Sequence, residues 1–150
     1  MTTAIIGTGG IGSVIARQLV SGGEQLRLAS ADTESARTLA AKLGPAAVVA
    51  ASNHDALEGA EAVILALRFT VLESVITEIA GALAGQLVVV PSNPVTADAH
   101  GHITRVLPEG TASGQVVAGW LPPGAKLAMA FGSMSADRFE SASHRSPVRP

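Results

Sequence analysis

Residues 3–23 read TAIIGTGGIGSVIARQLVSGG, and this stretch contains three structural signals in a fixed order. An apolar segment, residues 3–6, has the length and composition of a buried strand and runs into a glycine-rich turn at residues 7–12. The next apolar side chains recur at helical spacing until Gly22 and Gly23 end the segment. The stretch therefore predicts a strand, a tight turn and an amphipathic helix.

The alternation of strand and helix continues along the chain. Further strands are predicted at residues 26–29, 46–49, 62–67, 87–90 and 126–131. Asp32 is expected to cap the second helix and Ser113 a later one, and residues 103–107 are expected to form at most a short helix.

This β-α-β-α-β order predicts a parallel sheet with right-handed crossovers. The expected fold class is α/β, a Rossmann-type doubly wound parallel sheet of about six strands in three layers, α/β/α. The predicted domain covers residues 1–140, and residues 141–150, rich in Ser, Arg and Pro, are expected to form a tail or linker.

Each glycine of the turn has a role if the turn binds a dinucleotide. Gly7 permits the sharp turn out of the strand, Gly9 lets a pyrophosphate approach the backbone, and Gly12 lets the helix pack closely. The helix start at Gly10 and Ile11 offers free N–H groups and the positive end of the helix dipole to phosphates. The sequence therefore predicts that this turn binds a dinucleotide.

The end of the second strand bears on the choice between NADP and NAD. An acidic residue there would bind the ribose 2′-hydroxyl of NAD, but the strand ends at Ser30 and the first acid, Asp32, suits a helix cap. Ser30 and Thr8 are candidates to hydrogen-bond a 2′-phosphate, with Arg37 as a candidate charge partner. The sequence favours NADP and leaves NAD open.

Composition excludes several classes of function. Charged residues make up 15% of the chain and the net charge is −2, so we expect no binding to nucleic acid or to an acidic membrane surface. No apolar run approaches the roughly 18–20 residues that span a bilayer. The chain has no cysteine, which excludes thiol chemistry, and no basic leader at its N-terminus. We therefore expect a cytoplasmic protein whose partners are small molecules.

Polar groups after the fourth and fifth strands lie at the sheet edge where open α/β folds bind ligands. They are Arg68, followed by Phe69, and Asn93 with Pro94. His100 and His102 flank a glycine, but no third ligand stands at a fixed spacing, which favours a solvated loop over a metal site. We identify no catalytic side chain and no metal ligand.

Three later segments and the glycine turn together resemble the coenzyme F-420-dependent NADP oxidoreductase family. Besides Ser30, the segments are Ala66-Leu67-Arg68-Phe69, Ser92-Asn93-Pro94-Val95 and Ala130-Phe131-Gly132-Ser133-Met134. The glycine turn is shared by many nucleotide-binding proteins, so these segments carry the specificity, and the likeness runs from about residue 3 to residue 147.

The resemblance implies hydride transfer between NADPH and a deazaflavin, coenzyme F-420, without a protein acid or base. It implies that Asn93-Pro94 and the Ala130-Phe131-Gly132 segment line the cofactor and acceptor cleft. Ala66, Leu67 and Arg68 are further candidate cofactor-binding residues. In the family a Thr of the turn and a Ser-Arg pair contact the 2′-phosphate; Thr8 and Ser30 match, while Ala31 occupies the arginine position.

Two further positions depart from the family pattern. The family has a further basic residue in the second helix, and Ser35 occupies that position here. Arg68-Phe69 occupies the position of a Pro-Trp pair that the family often has after the fourth strand. Phe69 therefore either packs in the core or supplies the ring beside the cofactor.

Family members usually continue well beyond the position of Pro150, through elements that complete the acceptor pocket and a dimer contact. We therefore expect a shortened chain, and whether it forms a homodimer is left undecided by the sequence. Three functions remain: an NADP-dependent oxidoreductase, a dinucleotide-binding module without turnover, and a reductase of the imine or hydroxy-acid superfamily whose catalytic domain is absent.

Overall fold

The structure, a computed structural model, describes residues 1–143. Eight strands lie within that part of the chain: β1 (Thr2–Ile6), β2 (Gln25–Ala29), β3 (Ala47–Val49), β4 (Ala62–Leu65), β5 (Leu87–Val90), β6 (Val95–Ala97), β7 (Ile103–Arg105) and β8 (Lys126–Met129). The helices there are α1 (Gly10–Ser21), α2 (Thr33–Leu43), α3 (Asn53–Ala56), α4 (Phe69–Leu83), α5 (Ser113–Trp120) and α6 (Ala136–Ser143), with a 3₁₀ turn at Gly44–Ala46.

Six strands form one parallel sheet in the order β3-β2-β1-β4-β5-β8. The chain moves outward from β1 to β3, then returns to the other side of β1 and moves outward again. The strand order therefore reverses beside β1, and in such sheets ligands bind at the carboxyl ends of the strands flanking this point. The glycine turn follows β1 directly, so the fold places it at this point.

Both faces of the sheet are covered by helices, because successive strand residues point to opposite sides. In β1, Ile5 packs with buried residues of α1 and α2, whereas Ala4 and Ile6 pack with buried residues of α3, α4 and α5. All three are at most 2% exposed. The predicted six-stranded, three-layer α/β/α arrangement is confirmed.

Local signals account for most of the element boundaries. Asp32 caps α2 as predicted, since its carboxylate accepts a hydrogen bond from the backbone N–H of Glu34 at 3.1 Å. β4 ends at Leu65 and β8 at Met129, each two residues earlier than predicted. The residues that were predicted to extend these strands, among them Ala66 and Ala130, instead line the clefts described below.

Four further details differ from the sequence predictions. Residues 103–107 contain no helix: β7 lies there and pairs antiparallel with β6, since β-branched Ile and Thr suit a hairpin strand. Ser113 does not cap α5, because it is the first helical residue and Ala112 precedes it without a side-chain cap. Residues 53–56, for which no element was predicted, form α3.

The fourth detail concerns the expected tail. Helix α6 reaches Ser143, so residues 141–143 are helical, and residues 144–150 of the predicted tail lie outside the described residues. Within residues 1–143, no helix combines the length and the apolar character that crossing a bilayer requires.

Candidate functional site

The glycine turn between β1 and α1 is too tightly packed for side chains at two positions. Gly7 has φ +100°, and a Cβ there would lie 2.3 Å from the carbonyl oxygen of Ala66. A Cβ at Gly12 would lie 2.0 Å from the carbonyl oxygen of Gly7. The predicted turn and close-packing roles of these two glycines therefore have a direct steric basis.

The backbone at the N-terminus of α1 is accessible next to the glycine turn. Gly9 is the residue before the helix, it has no side chain to cap it, and the first helical turn contains no acidic side chain. A Cβ built on Gly9 would have no described atom within 4 Å. Free N–H groups at a helix N-terminus attract anions, so Gly9, Gly10 and Ile11 present backbone to which a phosphate can come close.

Three hydroxyl groups lie together beside this helix end. The Thr8 and Ser35 hydroxyl oxygens are 2.5 Å apart, and the Ser35 hydroxyl lies 3.4 Å from that of Ser30. Thr8 is 7% exposed, whereas Ser30 and Ser35 are half-buried. We call these three residues the hydroxyl cluster; it brings together the two positions predicted to contact a 2′-phosphate and adds Ser35.

The basic side chains of the groove beside the hydroxyl cluster are Arg17 and Lys42, and Arg37 is not among them. Arg37 is 65% exposed and pairs with Glu34 at 2.5 Å, and it is not among the residues that line the neighbouring groove. That groove, of about 410 Å³ between α1 and α2, contains Thr8, Ser35, Arg17 and Lys42. The role predicted for Arg37 stays a prediction.

A larger cleft, of about 540 Å³, opens on the other side of the switch point. We call it the α4 cleft. Ser30 and Ala31 line one part of it, and Ala66, Leu67 and Arg68 line another. Three predicted site positions after β4 are therefore brought together with the end of β2. Phe69 is 4% exposed and its ring centroid lies 5.6 Å from that of Trp120, so Phe69 packs in the core.

The residues of the α4 cleft that sequence reasoning missed include a pair of polar side chains in contact with each other. Asn53 at the start of α3 and Glu78 on α4 both line it, and the Asn53 amide nitrogen lies 3.2 and 3.3 Å from the two Glu78 carboxylate oxygens. The signal for Asn53 was weak but present: Ser52 precedes it and caps α3 by accepting a hydrogen bond from the Asp55 N–H. No local pattern signalled Glu78.

A third cavity, of about 300 Å³, lies where β5 and β8 end, and we call it the β8 cleft. Its lining includes Asn93, Ala130 and Phe131. The Asn93 amide donates to the carbonyl oxygen of Gly132 at 2.6 Å and joins the two loops. Phe131 has φ 65°, a left-handed conformation that costs a non-glycine residue energy and that clusters at ligand sites.

The predicted residue Pro94 lies beside the β8 cleft without being among its lining residues. Its carbonyl oxygen accepts from the Val106 N–H at 2.9 Å, at the base of the β6–β7 hairpin. The Ser92 hydroxyl donates to the carbonyl oxygen of Leu67, so it connects the β8 cleft to the α4 cleft. The two clefts thus lie along one edge of the sheet.

The histidine pair lies on an exposed turn. The Asp98 carboxylate accepts from the backbone N–H groups of His102 and His100 at 2.9 and 2.8 Å, and the His102 ring lies 3.1 Å from it. The backbone N–H of His102, foremost among these contacts, holds the pKa of Asp98 below its usual range. In the part of the chain that the structure describes, no group of three or more His, Cys, Asp or Glu residues has a metal-binding arrangement.

Solved structures with the same fold cover nearly all of this chain. A hypothetical protein from Sinorhizobium meliloti is 27% identical, with a TM-score of 0.78 over 93% of this chain and 65% of its own. A proposed F-420-dependent NADP reductase from Arthrobacter sp. FB24 is 24% identical, with a TM-score of 0.75 over 90% of this chain and 64% of its own. An imine reductase from Myxococcus stipitatus, in complex with NADP+, is 18% identical, with a TM-score of 0.71 over 91% of this chain and 43% of its own.

The last two likenesses show the fold alone. The chain spans a little under two thirds of the length of the first two proteins. No curated protein matches it. The family model for coenzyme F-420-dependent NADP oxidoreductases, however, matches residues 2–94, which is more than half of the chain. The chain therefore belongs to the family of coenzyme F-420-dependent NADP oxidoreductases.

Proposed function

We propose that this chain binds NADP(H), with the pyrophosphate at the N-terminus of α1. The observation that carries the proposal is the open backbone at Gly9: no described atom lies within 4 Å of a Cβ there, and the helix that follows has no side-chain cap. The residues therefore fit a phosphate group, because unpaired N–H groups and the helix dipole both favour an anion.

The hydroxyl cluster supports a 2′-phosphate on the adenosine ribose. Thr8, Ser30 and Ser35 offer three hydroxyls within one cluster, and hydrogen bonds to an ionised phosphate are stronger than those between neutral groups. Lys42 adds a positive charge to the adjoining groove, where Arg17 is paired with Glu140 at 2.9 Å and Asp32 and Glu34 contribute negative charge. This arrangement favours NADP over NAD without the arginine that Ala31 replaces.

The proposed activity is hydride transfer to or from an acceptor of the deazaflavin class. When bound, NADPH supplies the hydride, and such transfer needs no acid or base from the protein. The β8 cleft opens along the same sheet edge, with Asn93 and Phe131 available to orient a planar ring and exclude water. Family membership supports the cofactor and acceptor classes.

Gly9→Ala tests the phosphate site. The new methyl group would have no atom of the described residues within 4 Å, so we expect the free energy of unfolding to change by no more than about 1 kcal/mol. NADPH affinity, measured by fluorescence titration, should fall at least about tenfold, or about 1.4 kcal/mol. Gly81→Ala, on α4 where a Cβ also meets nothing within 4 Å, is the matched control and should bind NADPH normally. Unchanged affinity in Gly9→Ala would place the pyrophosphate elsewhere.

Thr8→Val tests the choice of cofactor. Loss of one hydrogen bond to a charged phosphate should lower NADPH affinity by about tenfold and leave NADH affinity nearly unchanged. Thr38→Val, an exposed threonine of the adjoining groove, is the control. An equal loss for both cofactors in Thr8→Val would argue against a 2′-phosphate contact.

Turnover is measured separately from binding. Oxidation of NADPH in the presence of oxidised coenzyme F-420 supports the oxidoreductase proposal, with flavin and small imines as alternative acceptors. NADPH binding without turnover on any acceptor would instead identify a dinucleotide-binding module.

A further inference from the structure

Arg17 lies on α1 between a groove and a neighbouring helix. Ser13 and Arg17 are four residues apart and therefore lie on one face of α1. Both line the groove between α1 and α2, which we call the α1–α2 groove, together with Thr8 and Ser35 of the hydroxyl cluster. The guanidinium group of Arg17, however, pairs with Glu140 of α6, with 2.9 Å between Nη2 and Oε1.

Helix α6 bridges the proposed phosphate site and the β8 cleft. At its start, the Cβ of Ala136 lies 4.0 Å from the position of a Cβ built on Gly10, in the first turn of α1. In its middle, the ring centroid of Phe139 lies 5.2 Å from that of Phe131, which lines the β8 cleft. The ion pair joins the same helix to α1 one residue further along. Loss of the ion pair would therefore loosen a helix that contacts both sites.

The ion pair satisfies the guanidinium group only in part. An arginine side chain has five N–H donors, and the Nε–H of Arg17 is buried without a hydrogen-bond partner among residues 1–143. The two side chains are 37% and 44% exposed, so water screens the attraction between them. Such a pair is weak, and Arg17 can exchange Glu140 for an anion of higher charge.

A 2′-phosphate at the hydroxyl cluster is an anion of that kind. A phosphate monoester carries more than one negative charge near neutral pH and has three strong acceptor oxygens. Rotation of the Arg17 side chain turns the guanidinium group into the α1–α2 groove, which it already lines with Thr8 and Ser35. NADH has a hydroxyl group at this position and offers no competing charge. We propose that Glu140 holds Arg17 in the cofactor-free chain and that Arg17 leaves Glu140 for the 2′-phosphate when NADP(H) binds, which loosens α6; this inference rests on the NADP(H) proposal.

The first test is the sign of the change in NADPH affinity when either partner is replaced. Glu140→Gln removes the group that competes for Arg17, so NADPH should bind about two- to fivefold more tightly. Arg17→Gln removes the cation itself, so NADPH should bind about tenfold more weakly. NADH affinity should not change in either variant. If the pair only stabilised the packing of α6, both substitutions would shift NADPH affinity in the same direction.

Hydrogen exchange of the α6 amides, residues 136–143, is the second test. In the wild-type chain, saturating NADPH should make these amides exchange about two- to fivefold faster than saturating NADH does, because only NADPH breaks the ion pair. In Glu140→Gln and Arg17→Gln the pair is absent from the start. Both variants should therefore exchange faster than wild type without cofactor, and NADPH and NADH should have the same effect on them.

Matched controls and the contrary outcomes separate this inference from the proposed function. Glu73→Gln and Arg105→Gln make the same substitutions at exposed positions of α4 and β7, and both should behave as wild type. Affinity shifts of one sign in Glu140→Gln and Arg17→Gln, or equal α6 exchange with NADPH and NADH in the wild-type chain, would overturn the inference while NADP(H) binding stands. Binding of neither cofactor by the folded wild-type chain would overturn the proposed function and the inference with it.

Discussion

Replacing Gly12 by alanine tests the close contact between α1 and the glycine turn. The added Cβ would lie 2.0 Å from the Gly7 carbonyl oxygen and 3.0 Å from the Cβ of Ala66. Ordinary carbon–oxygen contacts begin near about 3.3 Å, so the turn must move by roughly 1.3 Å. Overpacking costs about 1–3 kcal/mol, and a backbone displacement of this size belongs at the upper end, about 2–3 kcal/mol. Alanine gains about 1 kcal/mol over glycine within a helix, so we expect a net loss of about 1–2 kcal/mol.

Urea and thermal unfolding measure this loss directly. For a chain of this size the expected fall in Tm is about 2–8 °C. Gly81→Ala changes the same residue type in an unobstructed helix and should be neutral or more stable by up to about 1 kcal/mol. NADPH affinity should fall in Gly12→Ala, because the displaced turn carries the proposed phosphate site. If Gly12→Ala were as stable as Gly81→Ala and bound NADPH normally, the steric reasoning would be refuted.

Two further predictions concern the hairpin and the core. The lowered pKa of Asp98 means that its ionised form stabilises the folded turn; this contribution is complete above about pH 4, the unfolded value, and is lost as pH falls through the lowered folded value. The His102 amide resonance should follow that titration by NMR and should not do so in Asp98→Asn. Phe69→Ala should cost about 3–5 kcal/mol in urea unfolding, because its ring is buried against Trp120. A loss below about 1 kcal/mol, similar to that of exposed Thr70→Ala, would contradict core packing.

The six sheet strands and the glycine turn were predictable because their signals are local. Buried parallel strands appear in the sequence as short apolar runs. Gly7 and Gly12, where a side chain would clash, are recognisable from the spacing of the glycines in the turn. Asp32 was predictable for the same reason, since a helix cap acts on the next few residues.

The features that were missed depend on contacts between distant parts of the chain. β7 forms because it pairs with β6, and three residues are too few to show a period. Helix α6 is mostly polar, and its contacts include the Phe139 ring, 5.2 Å from that of Phe131, and Glu140, 2.9 Å from Arg17.

The candidate site divides in the same way. Thr8 and Ser30 were identified from the motif that surrounds them. Glu78 was not, because it meets Asn53 across 25 residues of sequence, and only the folded chain brings the two together. Arg37 was chosen for its position along the helix, but its side chain pairs with Glu34 at the surface.

The central position of β1 has a consequence for the synthesis of the chain. β1 is completed first, yet one of its two neighbours, β4, follows about 60 residues later. At a translation rate of about 5–20 residues per second, this apolar strand waits roughly 3–12 s for that neighbour. During this interval one edge of the strand can bind chaperones or other nascent chains. The nascent chain is therefore most exposed to pairing with a wrong partner strand before residues 62–65 have been synthesised.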